Sequence, residues 1–537
     1  MADERAMERR DAGERSVSQA LIEALRQGRG FDHPVSRIEV YETHVSWVIL
    51  TGDYAYKIKK PLDFGSFLDF STLEKRRRLC EQEVRLNRRL APALYLDTVA
   101  ITGTPEAPSL GGSGTPFEYA VKMRQFSNRH LFSTLQASGE LSEELLDDLV
   151  AQLVAFHEEA PRVSGDSQLG SPDTVRRTLD REFRLIEARL EEQEERERLS
   201  RLETWSLDSF ARLEHEFERR WREGYVRETH GDIHLGNAVH FEGRALLFDG
   251  LEFNAELRWN DVGCELAFLL MDLEARGEQA YANHVLNRYL ELSGDYELVR
   301  LLAYYKLYRA LVRVKVALLH YHQEQLTPEE REAVLADYHC YMALAERYSE
   351  FRFPYLVVGV GVSGSGKSRF TGEMVRRLGG VRVRSDIERK RLYGFEAQAD
   401  TRAGGDIYTP QASERTYARL AELAGILLES GLPACVDATC LTRAQRAQLC
   451  FEAERRGLAV LMVSFEADTQ TLRARIEKRA QRGGDPSEAG LEVLERQLAR
   501  FEPFADDELS HLVHLDTTAP DANLTLVSMI QERIQLR

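Results

Sequence analysis

Gly361-Val362-Ser363-Gly364-Ser365-Gly366-Lys367-Ser368 follows the apolar run Tyr355–Val360 and opens a helical pattern. The spacing is G-x-x-x-x-G-K-[ST]. Glycines at these places let successive backbone N–H groups turn inward into an anion nest, and the helix that follows adds the positive end of its dipole. Lys367 supplies a point charge for β- and γ-phosphates, and Ser368 a hydroxyl for Mg²⁺. Gly361, Ser363, Gly364, Ser365, Gly366, Lys367 and Ser368 are therefore expected to hold ATP.

Downstream, short apolar runs alternate with helical patterns: Val381–Arg384, Ala434–Val436, Ala459–Phe465 and Leu512–Leu515. Such alternation predicts a parallel sheet with crossover helices, an α/β P-loop NTPase fold over residues 350–537. Strand C-termini line the ligand crevice of an open α/β sheet. Asp386, just past the second run, can take the proton of an attacking hydroxyl; the other reading is an N-cap for a helix starting at Ile387. Asp437, at the end of the third strand, is a Mg²⁺ candidate. Arg473, Arg475, Lys478, Arg479 and Arg482 stud a helix before the loop Gly483-Gly484-Asp485-Pro486-Ser487. This reads as a lid, with Arg479 and Arg482 over the transferred phosphate.

These residues resemble the compact P-loop kinases that include gluconate kinase, polynucleotide kinase, chloramphenicol phosphotransferase and zeta toxin. The resemblance implies that Asp386 activates an acceptor hydroxyl and that Arg389 helps bind the substrate.

Upstream, His230-Gly231-Asp232-Ile233-His234-Leu235-Gly236-Asn237 fits H-x-D-x-x-x-x-N, close to a kinase catalytic loop. Asp232 is the candidate base and Asn237 a metal ligand. Twelve residues on, Leu246-Leu247-Phe248-Asp249-Gly250 ends an apolar run in Asp-Gly, which makes Asp249 the second metal candidate. Tyr54-Ala55-Tyr56-Lys57 stands where kinases carry V-A-I-K. Lys59, two residues on, faces the same side and is a rival to Lys57 for the phosphates. The helix after it offers Glu83 as the ion-pair partner, with Glu81 behind it. Short β-like runs at Ser36–Tyr41, Val45–Leu50, Tyr54–Lys59, Leu96–Thr102 and Phe117–Arg124, a basic helix Leu73–Leu90 and a Gly/Pro/Ser loop at 103–116 predict a small β-rich lobe. From Ser142 to about Ser349 the pattern is mainly helical. The Glu/Arg-rich stretch Val175–Arg222 reads as a solvated helical hairpin.

This half resembles the aminoglycoside phosphotransferase and choline kinase family over roughly 36–345. That implies an α+β protein-kinase-like bilobal fold with ATP between the lobes, and a structural role for Asp261. It departs from the kinase pattern in lacking a Gly-x-Gly-x-x-Gly loop. The two-part arrangement is similar to that of bifunctional aminoglycoside phosphotransferase/ATP-binding proteins.

The expected organisation is a disordered charged tail at 1–15, a kinase-like domain at 16–349, beginning with a helix at 17–28, and the P-loop domain at 350–537. A chain of 537 residues is too long for one core. Its formal charge of −17 argues against nucleic acid and anionic membrane, and fits small-molecule chemistry. No run of about 18 apolar residues occurs. The N-terminus lacks a signal-peptide core, and the six cysteines form no CxxC pair, so the expected setting is the reducing cytoplasm. The sequence does not set the oligomeric state.

Three functional readings compete. In the first, both halves are ATP- and Mg²⁺-dependent kinases acting on hydroxyl groups of small molecules. In the second, only the P-loop half is catalytic and the N-terminal half senses nucleotide. In the third, the P-loop half phosphorylates a nucleic-acid end or a nucleotide sugar, using a basic channel from Arg376, Arg377, Arg382, Arg384, Arg389, Lys390 and Arg391.

Overall fold

The computed structural model describes residues 17–535 except 36, 66–67, 323–325, 397–398, 400–406 and 483–489. The expected tail at 1–15 and the loop Gly483–Ser487 lie outside the described residues. The chain forms two compact units, Met1–Arg177 with Glu218–Leu269, and Thr178–Phe217 with Leu270–Arg537. The region expected to be kinase-like thus contributes to both.

The first unit opens with helix α1 (17–26). Its six-stranded antiparallel sheet comprises β1 (Glu39–Glu42), β2 (Ser46–Leu50), β3 (Tyr54–Lys59), β4 (Tyr95–Thr104), β5 (Ala107–Leu110) and β6 (Glu118–Arg124), in the order β1-β2-β3-β6-β4-β5. Leu21, Ile22 and Leu25 of α1 pack with Ile49, Tyr56, Ile58 and Ile101 on one side of it. Helix α2 (Leu73–Asn87) lies against β4 and β6 and packs Cys80 and Val84 with Ala55, Val121 and Met123. The Thr72 side chain starts α2 by accepting from the Lys75 amide at 3.3 Å. The helix stops three residues short of the expected Leu90.

Strand β5 falls inside the stretch expected to be a loop. Gly103, at φ +87°, is the last residue but one of β4, just before the Pro105-Glu106 turn: a Cβ there would lie 2.5 Å from the Ala107 carbonyl oxygen. Pro108 and Leu110 then alternate inward. Proline is tolerated because β5 is the sheet edge. A Gly/Pro/Ser composition hid a four-residue alternation.

Helices α3 (Phe132–Ala137) and α4 (Glu143–Glu159) follow, then the long pair α5 (Pro172–Glu187) and α6 (Gln193–Glu223) that forms the charged hairpin. The hairpin is not solvated throughout, since Leu179, Phe183, Ile186, Leu199 and Leu202 are buried. Next come β7 (Val226–Glu228), the hairpin β8 (Ala238–Phe241) and β9 (Arg244–Leu247), α7 (Ala255–Arg258), β10 (Trp259–Asp261) and α8 (Val262–Ala275).

Near the C-terminal end of α6, Arg220 donates from Nε and Nη2 to both oxygens of Asp261, at 2.7 and 2.9 Å, and both side chains are at most 2% exposed. Removing one partner of such a pair strands a buried charge, so Arg220→Ala is expected to cost about 3–5 kcal/mol. Urea unfolding followed by far-UV circular dichroism checks this; a loss below about 1 kcal/mol contradicts it.

In the second unit, α9 (Gln279–Ser293), α10 (Val299–Tyr321) and α11 (Pro328–Ser349) precede a five-stranded parallel sheet. Its strands are β11 (Tyr355–Val360), β12 (Val381–Arg384), β13 (Ala434–Asp437), β14 (Ala459–Glu466) and β15 (Leu512–Asp516), in the order β12-β13-β11-β14-β15. The crossovers carry α12 (Lys367–Leu378), α13 (Ser385–Leu392), α14 (Pro410–Glu429), α15 (Arg443–Glu454), α16 (Thr469–Arg482) and α17 (Leu491–Arg500), and α18 (Ala522–Gln535) closes the chain. Strand β11 is central and almost wholly buried, which is why it reads as an unbroken apolar run. Val357, Phe370, Met374, Val463, Phe465 and Leu526 share one core cluster. No helix among the described residues is long and apolar enough to cross a membrane.

Candidate active sites

The P-loop joins β11 to α12 with Gly361, Gly364 and Gly366 at φ +151°, +83° and +93°. Side chains are excluded as well as strained there. A Cβ would lie 2.8 Å from the Phe465 carbonyl oxygen at Gly361, and 2.8 Å from that of Leu472 at Gly364. Lys367 is the first residue of α12 and is buried. Its Nζ donates to the Gly361 carbonyl at 2.6 Å and to that of Val362 at 3.2 Å. Burial pulls its pKa below the ordinary lysine value, against the opposing pull of Asp437 and Asp386. Only the charged form attracts phosphate. Nucleotide affinity at this site is therefore expected to fall, as pH rises, before the ordinary lysine value of 10.5 is reached. A pH series of equilibrium nucleotide binding checks this, and a flat profile up to that value contradicts it.

A cavity of about 790 Å³ opens beside the loop. Its lining includes Lys367, Arg369, Arg384, Arg389, Arg475, Arg479, Arg496 and Arg500 against two carboxylates, Asp386 and Asp437. Such a surplus of cations in a chain of net charge −17 makes a local anion site. Asp437 ends β13 beside Arg384 of β12, its parallel partner in register. The Asp437 carboxylate is buried, and its Oδ2 has no hydrogen-bond partner. A carboxylate oxygen without a hydrogen-bond partner, in a cavity that Ser368 also lines, suits a hard, oxygen-seeking cation.

Asp386 is the second residue of α13, whose N-cap is Arg384. The N-cap reading of Asp386 is therefore corrected: the strand runs straight into the helix at Ser385. Arg389, one turn on, is buried, donates to the Ile407 carbonyl at 3.1 Å and lies over the Tyr408 ring. The other arginines of α16 divide. Arg475 braces the P-loop, donating to the carbonyls of Gly364 and Ser365 and to Thr517 Oγ1. Arg473 pairs with Glu495 in an exposed position. Arg479 lines the cavity. The basic run behind the channel reading is mostly neutralised: Arg376 and Arg377 pair with Glu373, Arg382 with Glu291 and Arg391 with Glu388.

The second site lies in the first unit. Lys57 Nζ donates to Glu83 Oε1 at 2.9 Å and to Asp249 Oδ1 at 2.5 Å. Lys59 is 1% exposed and sits between Glu83 Oε2, at 2.6 Å, and Glu252. The two lysines thus differ in what they face. Lys57 spans the helix carboxylate and the Asp-Gly segment, whereas Lys59 is sealed in behind it. Burial opposes the charge of Lys57, but Asp249 and Glu83 override it and hold it protonated. Burial likewise works against the Glu83 carboxylate, yet its two lysines keep it ionised. Glu81 lies on the exposed face of α2, 3.8 Å from Arg77.

His230, buried and held low in pKa by that burial, meets the Phe248 carbonyl through Nε2 at 2.9 Å. Gly231, at φ +89°, donates its amide to Glu265 Oε1 at 2.6 Å. Asn237 Nδ2 donates to the Asp232 carbonyl at 3.0 Å and to Asp232 Oδ2 at 3.1 Å. With the amide nitrogen committed, Asn237 keeps its oxygen as an acceptor, the donor type that a hard cation takes. Asp249 adopts φ +62°, a costly conformation for a non-glycine residue. Its amide donates to the Tyr95 hydroxyl at 3.0 Å, and that of Gly250 to Asn87 Oδ1 at 2.7 Å. Strands β1 and β2 are joined by Thr43, His44 and Val45, a tight turn closed by Thr43 and Ser46 and free of glycine.

Tyr95, Asn87 and Glu252 were missed in the sequence. Glu252 stands three residues after Asp249, but no spacing rule marks it. Tyr95 and Asn87 act through contacts 154 and 163 residues away.

Residues 67–302 match the family model described as "Phosphotransferase enzyme family", and residues 356–504 the one described as "AAA domain". Two uncharacterized proteins, from Mycobacterium bovis and Mycobacterium tuberculosis, are 29% identical over 493 residues, covering 91% of this chain and 94% of each relative. Among solved structures, a gluconokinase from Sinorhizobium meliloti is 22% identical, with 34% of this chain and 98% of that one covered and a TM-score of 0.26. Amicoumacin kinase hAmiN, in complex with AMP-PNP, Ca²⁺ and Ami, is 11% identical, with 58% and 88% covered and a TM-score of 0.36. The chain is a kinase in which residues that match a phosphotransferase family model precede residues, the P-loop among them, that match an AAA domain model.

Proposed function

We propose that this kinase carries two ATP- and Mg²⁺-dependent sites, each transferring phosphate to a hydroxyl group of a small molecule. The observation that carries the reading is the placement of Lys57 on both Glu83 and Asp249. A nucleotide-only half could also use that lysine and that carboxylate, but it has no need of a base, and Asp232 is hydrogen-bonded to Asn237 on the neighbouring loop. Lys57 would orient the donor phosphates, Asp232 would accept the acceptor's hydroxyl proton, and Asn237 and Asp249 would hold the cation. In the other half, the nest of Gly361–Ser368 with Lys367 would hold the triphosphate. There Asp386 would take the proton, Arg389 would hold the acceptor and Arg479 would neutralise charge on the transferred group. Ser368 and Asp437 would hold the cation. In both sites the cation offsets charge on the phosphate oxygens. Phosphotransferase activity is thus assigned to residues 16–349 and 350–537 separately, in a cytoplasmic setting.

The test is a metabolite-extract screen with γ-labelled ATP on the intact chain and on Lys57→Ala and Lys367→Ala variants. Two labelled products, each lost in one variant only, are expected. A single product lost in Lys367→Ala and kept in Lys57→Ala would replace this reading with the sensor one. Labelling of an added oligonucleotide end, falling steeply with salt, would favour the nucleic-acid reading.

A further inference from the structure

Helix α9 belongs to the stretch matched by the phosphotransferase family, yet it packs on β12 and α12 of the P-loop sheet. Asn283, Asn287 and Glu291, spaced four apart on one face, are all buried there. Asn283 Nδ2 donates to the Arg376 carbonyl at 2.9 Å, just before the end of α12. Asn287 accepts from the Arg382 amide at 2.8 Å and donates to the Gly380 carbonyl at 3.0 Å, satisfying the open edge of β12.

Glu291 does something different. Its Oε1 accepts from Arg382 Nη2 at 2.7 Å, and its Oε2 lies 3.9 Å from Arg384 Nη1. Both arginines lead to the site. Arg382 Nη1 donates to the Ser368 carbonyl at 2.6 Å, and Arg384 Nε lies 3.9 Å from Asp437 Oδ2, the oxygen without a hydrogen-bond partner. Burial opposes the charge of Arg382, and Glu291 with Asp437 holds it above the ordinary arginine value. One carboxylate from α9 therefore anchors the two cations that stand behind Ser368 and beside Asp437.

We propose that Glu291 is a positioning residue of the P-loop site: it fixes Arg382 under Ser368 and draws Arg384 away from Asp437, leaving that carboxylate open to a divalent cation. The inference rests on the P-loop reading given above. Without Glu291, Arg384 is left beside Asp437 as its nearest carboxylate partner, and pairing there competes with the cation. A helix of the phosphotransferase-family region is thereby built into the working parts of the P-loop site, and the P-loop half depends on it for metal binding as well as for stability.

The test uses the full chain carrying Lys57→Ala, with fluorescent ADP titrated against Mg²⁺. Glu291→Gln is expected to raise the Mg²⁺ concentration for half-maximal nucleotide binding about ten-fold. Adding Arg384→Met, which removes the competing cation, is expected to recover most of that shift. Asn287→Ala strips the bonds to the β12 edge but keeps every charge, and is expected to lower the melting temperature while leaving the Mg²⁺ dependence in place. An unchanged Mg²⁺ dependence in Glu291→Gln overturns the proposal, as does an equal shift in Asn287→Ala. If Glu291→Gln does not fold, Glu291→Asp, which keeps the charge but withdraws it by one methylene from both arginines, is expected to shift the Mg²⁺ dependence in the same direction by less, and no shift there overturns the proposal. Binding that survives Lys367→Ala would place the nucleotide elsewhere and overturn the P-loop reading itself.

Discussion

Lys367→Ala is expected to lower phosphotransfer at the P-loop site by about 100- to 1,000-fold, the usual cost of losing one preorganised charge on the transferred group. The size follows from where the lysine sits. It is buried, and its ammonium rests on the loop's own Gly361 carbonyl. A triphosphate entering the nest would offer stronger acceptors than that carbonyl. Its loss also leaves Asp437 and Asp386, the carboxylates that most favour its charge, less compensated beside an anionic ligand. Arg475 cannot substitute, because its guanidinium is spent on Gly364, Ser365 and Thr517. Single-turnover transfer from γ-labelled ATP measures the effect. A loss under about ten-fold would mean that the neighbouring arginines carry the phosphates instead.

Asp232→Asn is expected to lower turnover at the kinase-like site by about 100- to 10,000-fold while leaving nucleotide affinity nearly unchanged. The substitution keeps the shape and an oxygen for Asn237 Nδ2, now 3.1 Å from Asp232 Oδ2, so the loop keeps its geometry. It removes the group that takes a hydroxyl proton. The proposed phosphate lysine Lys57, its partner Glu83 and the proposed cation ligand Asp249 are all unaltered. The diagnostic is the split between kcat and nucleotide Kd. Turnover that survives the substitution would remove the base from Asp232 and favour nucleotide sensing by this half.

Much of this was legible from local pattern. Strand β3 spans Tyr54–Lys59, as the pattern predicts, because the turn signal Thr51-Gly52-Asp53 and a half-buried sheet face leave a local signature. The inner strands β13, β11 and β14 stand out because buried parallel strands are apolar on both faces. Gly361–Ser368 was legible because each glycine is required by backbone sterics alone. That Arg384, and not Asp386, precedes the helix is not legible from local pattern, since only the fold shows a strand entering a helix without a connecting loop.

Lys57 and Lys59 mark the boundary between the two kinds of information. Both lie on one strand, two residues apart, and face the same way, so periodicity ranks them equally. What separates them is Asp249, 192 residues from Lys57, and Glu252, 193 residues from Lys59. The same holds for Glu291, an unremarkable residue in a helical pattern until Arg382 and Arg384 arrive from another fold element. Chemistry that one loop carries by itself, such as the glycine nest of Gly361–Ser368 or the spacing of Asp232 and Asn237, is written in nearby residues, because its geometry is set by neighbouring dihedral angles. Which lysine meets a metal-type carboxylate, and which helix supports the P-loop, depends on packing between segments distant in the chain. Those contacts exist only after burial has chosen one arrangement of the elements.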